Sequence, residues 1–241
     1  MQQAKGSMLK QALVTGGARG IGFGVAEALL DAGYAVTVTG LSEAEVAGVP
    51  ARDGLTAIVL DVTDQASADA AIAGLDRLDA LVNCAGVLFR GQEYDMAVFQ
   101  KVIDVNLTGT MRMCVGARPL LAKQGGAIVN TASMLSIFGG PLVPAYTASK
   151  GGVAQLTKAL GVAWAEEGIR VNAVAPGWVA TEVTRGIVED PVRSAGILGR
   201  TPMKRWGSPR DIGDVVAFLC SDAARFMTGT VVPVDGGYAS V

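Results

Sequence analysis

Histidine is missing altogether from this chain of 241 residues. Its absence excludes every Ser-His-Asp, Cys-His and His-ligated metal mechanism, so acid–base work falls to Tyr, Lys, Asp or Glu, and no metal site is expected. Cysteine is scarce. Cys84, Cys114 and Cys220 are scattered, odd in number and set in apolar surroundings, which argues against a disulfide framework and for reduced thiols in a cytoplasmic protein. Charged residues make up only 17% of the chain, with the two signs interspersed and a formal net charge of −2. That leaves no basic stripe for nucleic acid and no polybasic membrane surface. No secretory leader pattern opens the sequence. The longest uncharged run, Gln124 to Ser149, is broken by Asn130, Ser133, Gly139, Pro141 and Pro144, and reads as a buried strand and a polar loop rather than a bilayer span. There is no internal repeat, low-complexity tract or charge block.

What the chain has is apolar residues, at 50%, and 32 glycines placed in turns. A two-sided core is affordable, and the length suits a single large α/β domain. Met1–Ser7, with Gly6-Ser7 ahead of Met8, reads as a tag or disordered N-terminus, leaving 8–241 as one catalytic domain. Short continuous apolar runs predict strands at 11–15, 35–39, 56–60, 80–82, 127–130, 171–174 and 231–234. Helical patterns fall between them at 21–32, 66–74, 96–123 (with Pro119 a candidate kink), from Tyr146 to near Gly168, and at 209–220, with a turn of helix at 43–47. The stretch from 175 to 207 reads as loop-rich. Alternating strands and helices, with strands apolar on both faces, imply a doubly wound parallel sheet of about seven strands, Rossmann-like, with helices on both faces. Ligands of such sheets bind beyond the carboxyl ends of the strands.

Within the Tyr146 helix, Tyr146-Thr147-Ala148-Ser149-Lys150 places Tyr146 and Lys150 four residues apart, on one helical face. An ammonium beside a phenol favours the phenolate, so Lys150 is expected to lower the Tyr146 pKa and make a proton donor and acceptor usable near neutrality. Between the first strand and helix lies Thr15-Gly16-Gly17-Ala18-Arg19-Gly20-Ile21-Gly22. Glycines there permit positive φ and close backbone approach, and the helix N-terminus offers free N–H groups to a pyrophosphate.

From Gln11 to Gly237 these residues resemble the short-chain dehydrogenase/reductases, in their single-domain branch and similar to 3-oxoacyl-carrier-protein reductase-like members. The glycine pattern, Asp61-Val62, Asn83-Cys84-Ala85-Gly86 (with Cys84 where the family has a second Asn), Asn106, Ser133, Tyr146-x-x-x-Lys150, Pro176-Gly177 and Asp235-Gly236-Gly237 stand in the family's order and spacing. The resemblance implies a catalytic set of Asn106, Ser133, Tyr146 and Lys150. It also implies a dinucleotide laid along Gly16, Ala18, Arg19, Gly20, Ile21 and Gly22, then Leu41 and Ser42, Asp61 and Val62, and Asn83, Ala85 and Gly86. Thr131, Tyr146, Lys150, Pro176, Gly177, Val179 and Thr181 complete that path. Ser136 stands near Ser133 as a competitor for its part. Arg90, Glu93 and Asp95 read as surface loop, and Trp164, Trp178 and Trp206 as packing or pocket walls.

The implied reaction is hydride transfer between nicotinamide and a carbonyl or secondary alcohol, with Tyr146 as acid/base, Ser133 stabilising the oxygen, Lys150 holding the ribose and Asn106 supporting a water relay. No acid follows strand two before Glu43, and Arg19 could pair with a 2′-phosphate, so NADP(H) is favoured and NAD(H) stays open. A modest ketone or alcohol and a 3-oxoacyl thioester both fit an apolar pocket side of Leu135, Phe138, Leu142 and Val143. The resemblance further implies a homotetramer. Two other readings are weighed: an idle dinucleotide-sensing relative, against which the intact catalytic set argues, and a sugar-nucleotide epimerase or dehydratase, whose chains carry a further C-terminal substrate domain.

Overall fold

The computed structural model describes residues 9–241, so the expectation for Met1–Ser7 lies outside the described residues. Strands β1 (Lys10–Thr15), β2 (Tyr34–Gly40), β3 (Leu55–Val59), β4 (Ala80–Asn83), β5 (Ala127–Thr131), β6 (Arg170–Pro176) and β7 (Val231–Val234) form one sheet in the order β3-β2-β1-β4-β5-β6-β7. Every pairing is parallel. Helices α1 (Gly20–Asp31), α2 (Glu43–Ala47), α3 (Gln65–Ala73), α4 (Met96–Ile103), α5 (Gly109–Ala122), α6 (Pro144–Ala163), α7 (Arg185–Val188), α8 (Pro191–Arg200) and α9 (Pro209–Cys220) connect and cover the strands.

Successive β1 side chains serve opposite faces, as a strand's period of two requires. Ala12 and Val14 enter a core with Val25 and Leu29 of α1 and Ile212, Val216 and Leu219 of α9. Leu13 enters the other, with Leu81, Ile128 and Met113, Ala117 and Leu121 of α5. On the first face α1 and α9 touch backbone to backbone: a Cβ on Gly213 would lie 2.4 Å from the Gly24 carbonyl oxygen. From β1 the chain winds outward to β2 and β3, then crosses to β4 on the other side of β1. That reversal opens the crevice at the carboxyl ends of β1 and β4, where Thr15 and Asn83 are paired.

Two expectations need correction. The stretch read as loop-rich contains α7 and α8. Asp190 caps α8 by accepting from Val192 N–H at 3.0 Å and Arg193 N–H at 3.1 Å, and Pro191 opens it. These start signals are strong and Ser194, Ile197 and Leu198 form a half-buried stripe at helical spacing, but the helix is short, carries Gly196 and Gly199, and has no fully buried residue. The long helical pattern, in turn, breaks not at Pro119, which sits inside α5, but at a π turn over Asp104–Thr108 centred on Asn106. Among the described residues, no helix is long and apolar enough to cross a membrane.

Candidate active site

Four segments meet at the carboxyl end of the sheet. The loop after β1 supplies the glycines: Gly16 (φ +62°) is in the left-handed region, and a Cβ there would lie 2.8 Å from Ala85 Cα, so the loops after β1 and β4 are in backbone contact. Gly22 is equally constrained, its virtual Cβ 2.4 Å from the Gly16 carbonyl oxygen. Thr39 tethers this loop through Gly16 N–H to Thr39 Oγ1 at 3.1 Å and Ala18 N–H to the Thr39 carbonyl at 3.2 Å. Arg19 holds the cap position of α1 without giving its first turn a side-chain acceptor, which leaves those N–H groups for an anion. Ile21 is half-buried beside them. Across the crevice, the Thr181 methyl lies 3.8 Å from where a Gly20 Cβ would be.

The catalytic candidates converge. Lys150 is 4% exposed and Ser133 is 6% exposed, and Asn106 is fully buried. The Lys150 ammonium donates to the Thr131 carbonyl at 2.7 Å and lies 5.5 Å from the Tyr146 ring centroid. It has three donors, and this bond uses one. Gly86 gives it room, since a Cβ there would come within 3.7 Å of Nζ and 3.3 Å of Asn106 Oδ1. Burial pulls the Lys150 pKa down to about 8, against a smaller opposing influence of Cys84. Burial pushes the Tyr146 phenol up, partly offset by the Ser133 side chain, and the Glu93 carboxylate pushes it further. The expected lowering by Lys150 is therefore corrected: desolvation dominates, and the ammonium is drawn to the Thr131 carbonyl.

Ser133 and Ser136 have separate tasks. Ser136 Oγ donates to the Lys150 carbonyl at 2.7 Å and accepts Ser133 N–H at 3.3 Å, while the Ser133 hydroxyl faces the phenol. Asn106 accepts Val87 N–H at 2.8 Å and donates to the Val87 carbonyl at 2.9 Å and to Ser149 Oγ at 3.1 Å, so its amide fastens the loop after β4 to α6. Ser149 Oγ in turn donates to the Tyr146 carbonyl at 2.7 Å.

The remaining dinucleotide candidates line the crevice less uniformly. Asn83 turns its side chain into the core, donating to Asn130 Oδ1 at 2.9 Å, and Thr131 Oγ1 donates to Cys84 Sγ at 3.4 Å. Asp61 Oδ1 accepts from the N–H and hydroxyl of Thr63, shaping the turn after β3, and Val62 packs on Gly109. Leu41 is exposed, and the Ser42 hydroxyl caps α2. Pro176 ends β6, Gly177 N–H donates to the Val234 carbonyl at 3.1 Å, and Val179 is buried. These residues fit a dinucleotide: a glycine cradle, an uncapped helix start and a buried ammonium with donors to spare share one crevice.

Two acids escaped the sequence reading. Glu45 reaches back to accept Leu41 N–H at 2.8 Å and pairs with Arg19 at 3.2 Å. The Ser42-x-x-Glu45 spacing at a helix start was its sequence sign. Glu93, read as surface loop, is 1% exposed, and its Oε2 accepts the Tyr146 N–H at 2.8 Å. A lone acid in a mixed polar loop carries no pattern that predicts burial.

Known proteins are similar to this chain in sequence and fold. The family model described as enoyl-(acyl carrier protein) reductase matches residues 16–239. The 2-dehydro-3-deoxy-D-gluconate 5-dehydrogenase of Pseudoalteromonas atlantica is 40% identical over 95% of each chain. The L-tagatose-forming galactitol 2-dehydrogenase of Cereibacter sphaeroides is 39% identical over 94% of each. The crystal structure of a gluconate 5-dehydrogenase from Burkholderia cenocepacia in complex with NADP and tartrate superimposes with a TM-score of 0.90, at 33% identity over 96% of each chain. The chain belongs to the short-chain dehydrogenase/reductase family. It is an NAD(P)-dependent oxidoreductase acting on CH–OH donors and their carbonyl counterparts.

Proposed function

We propose that residues 8–241 work as one catalytic domain in which Tyr146 is the general acid for carbonyl reduction and the general base for alcohol oxidation. The bound dinucleotide supplies or accepts the hydride. In reduction, Tyr146 gives its phenolic proton to the substrate oxygen. Ser133 donates a hydrogen bond to that oxygen and stabilises its developing charge. The two unspent donors of Lys150 hold ribose hydroxyls. Asn106 keeps the loop after β4 and the first turns of α6 in register, beside the path by which Lys150 exchanges protons with water. The observation that carries this reading is the buried Lys150 ammonium beneath Tyr146, tied to Thr131 beside Gly86. Tyr146→Phe is expected to abolish turnover while leaving dinucleotide binding nearly intact. Turnover above a few per cent of the parent refutes the assignment.

For the substrate, the reading best supported is a polyhydroxylated carboxylic acid, or its oxo form, reacting at a secondary carbon. The names of the gluconate- and galactitol-directed relatives support it, as does the tartrate in the Burkholderia complex. So does Arg200, which stacks over Phe138 at 5.2 Å and Tyr238 at 4.3 Å and whose guanidinium makes only long contacts, at 3.5 Å, to the Tyr238 hydroxyl and the Val241 oxygen. A panel of sugar acids, polyols, simple ketones and 3-oxoacyl thioesters, read by absorbance with NADPH and NADH, tests it. Preferred turnover of the thioester overturns it. Arg19 favours NADP(H), and Glu45, already paired with it, keeps NAD(H) in contention. Exposed Val115 of α5 and Val162 of α6 support a homotetramer, and three unpaired cysteines support a cytoplasmic setting.

A further inference from the structure

Helix α6 begins poorly on its own. Its cap residue is Val143, which has no side-chain acceptor, and Pro144 follows. The first turn of any helix leaves N–H groups without partners, and leaving one buried and unpaired is destabilising. Here the missing acceptor arrives from a loop 53 residues away in sequence: Glu93 Oε2 takes the Tyr146 N–H at 2.8 Å. Its other oxygen, Oε1, takes the Phe89 N–H at 2.9 Å, so one buried carboxylate bridges the β4–α4 loop and the start of α6. A negative group at a helix N-terminus is also favoured by the helix dipole. The same two loops are joined twice more, Gly91 N–H to the Leu142 carbonyl at 2.8 Å and Tyr94 hydroxyl to the Pro141 carbonyl at 3.0 Å. Those ties lie at the rim, with Tyr94 73% exposed, whereas Glu93 is sealed at 1%.

We propose that Glu93 is a positioning residue for the catalytic tyrosine: by clamping the Tyr146 backbone to the Phe89 loop it fixes where the phenol stands relative to Ser133. The proposal rests on the reading of Tyr146 as the acid/base group. Glu93 cannot touch substrate, because it is buried beneath the backbone it holds. Its charge also faces the reaction. The ionisable groups around the phenol are Glu93 and the Lys150 ammonium, with Cys84 beyond Lys150. Glu93 opposes phenolate formation, so neutralising it shifts the phenol's titration to lower pH. The carboxylate accepts two N–H bonds, whereas a carboxamide offers one oxygen and turns its NH₂ group toward the second N–H.

Glu93→Gln and Glu93→Asp separate the two contributions. For Glu93→Gln, kcat is expected to fall on the order of 10- to 100-fold, the scale of a small misplacement of a reacting group. The midpoint of the kcat–pH curve for alcohol oxidation should move to lower pH, with dinucleotide affinity unchanged. Glu93→Asp keeps the charge but withdraws it by one methylene, and should lower kcat without moving the midpoint. Amide exchange in the parent protein gives a reading independent of whether variants fold: the Tyr146 N–H should be as protected as mid-helix amides. A Glu93→Gln enzyme with parental kcat and midpoint, or a freely exchanging Tyr146 amide, overturns the proposal. If Tyr146→Phe itself retains turnover, the acid/base reading fails first, whatever Glu93 does.

Discussion

Lys150 should destabilise the protein that it serves. Its ammonium is buried, and burial holds its pKa at about 8 against the ordinary 10.5. By linkage that gap amounts to about 3 kcal/mol against the folded state wherever the lysine is charged in both states, which includes neutral pH. Between these two pH values the unfolded chain binds more protons at this site than the folded one, so this contribution to stability rises with pH. By pH 9.5 about 2 kcal/mol of the penalty is relieved. Lys150→Met removes the penalty but leaves the Thr131 carbonyl, now bonded to Nζ at 2.7 Å, without its partner, a loss of about 1–2 kcal/mol. The variant should therefore be roughly 1–2 kcal/mol more stable than the parent at pH 7 and level with it or slightly less stable at pH 9.5. Urea unfolding of both proteins without dinucleotide, at the two pH values, measures this directly. Other titrating groups common to both chains cancel in the difference. A parent-to-variant difference that stays constant between pH 7 and 9.5 refutes the claim that the ammonium is held in a strongly desolvated place.

Two further predictions concern the dinucleotide and the core. Arg19→Ala should weaken NADPH binding about tenfold at low salt, the scale of one charged hydrogen bond, while leaving NADH binding unchanged; equal losses in fluorescence titrations of both would dissociate Arg19 from the 2′-phosphate. Thr157, fully buried, accepts from Asn130 Nδ2 at 3.0 Å and donates to the Val153 carbonyl at 2.8 Å, while Asn130 accepts from Asn83. Thr157→Val keeps the shape but strands the Asn130 donor, so thermal unfolding should show a loss of about 1–3 kcal/mol, or roughly 2–4 °C per kcal/mol; an unchanged Tm contradicts it.

Most of the sheet was legible because its determinants are local. Buried parallel strands are short apolar runs, and each of the seven falls where such a run stands between turn residues. A helix end was legible at Gly33 (φ +84°), which stops the chain just after α1, whereas α6 ends at Ala163, short of the expected Gly168 (φ +78°), which instead closes the 3-10 turn Ala165–Glu167. The α8 helix was missed because it is only ten residues long and Gly196 and Gly199 read as loop residues, although Asp190 and Pro191 mark its start. The π turn at Asn106 was missed because it arises from bonds that Asn106 makes to Val87 and Ser149, neither of them near it in the chain.

By itself the sequence determined that no imidazole takes part, that Tyr146 and Lys150 share a helical face, and that glycines follow β1 at the start of α1. Composition and spacings within a few residues are enough for each of these. Tertiary structure decided the rest: which serine meets the phenol, that Glu45 already engages Arg19, that Glu93 lies beneath Tyr146 rather than in water, and that burial outweighs charge in setting the Tyr146 and Lys150 equilibria. Each of those depends on desolvation or on a partner distant in the chain, and both exist only once the loops at the carboxyl end of the sheet have closed on one another.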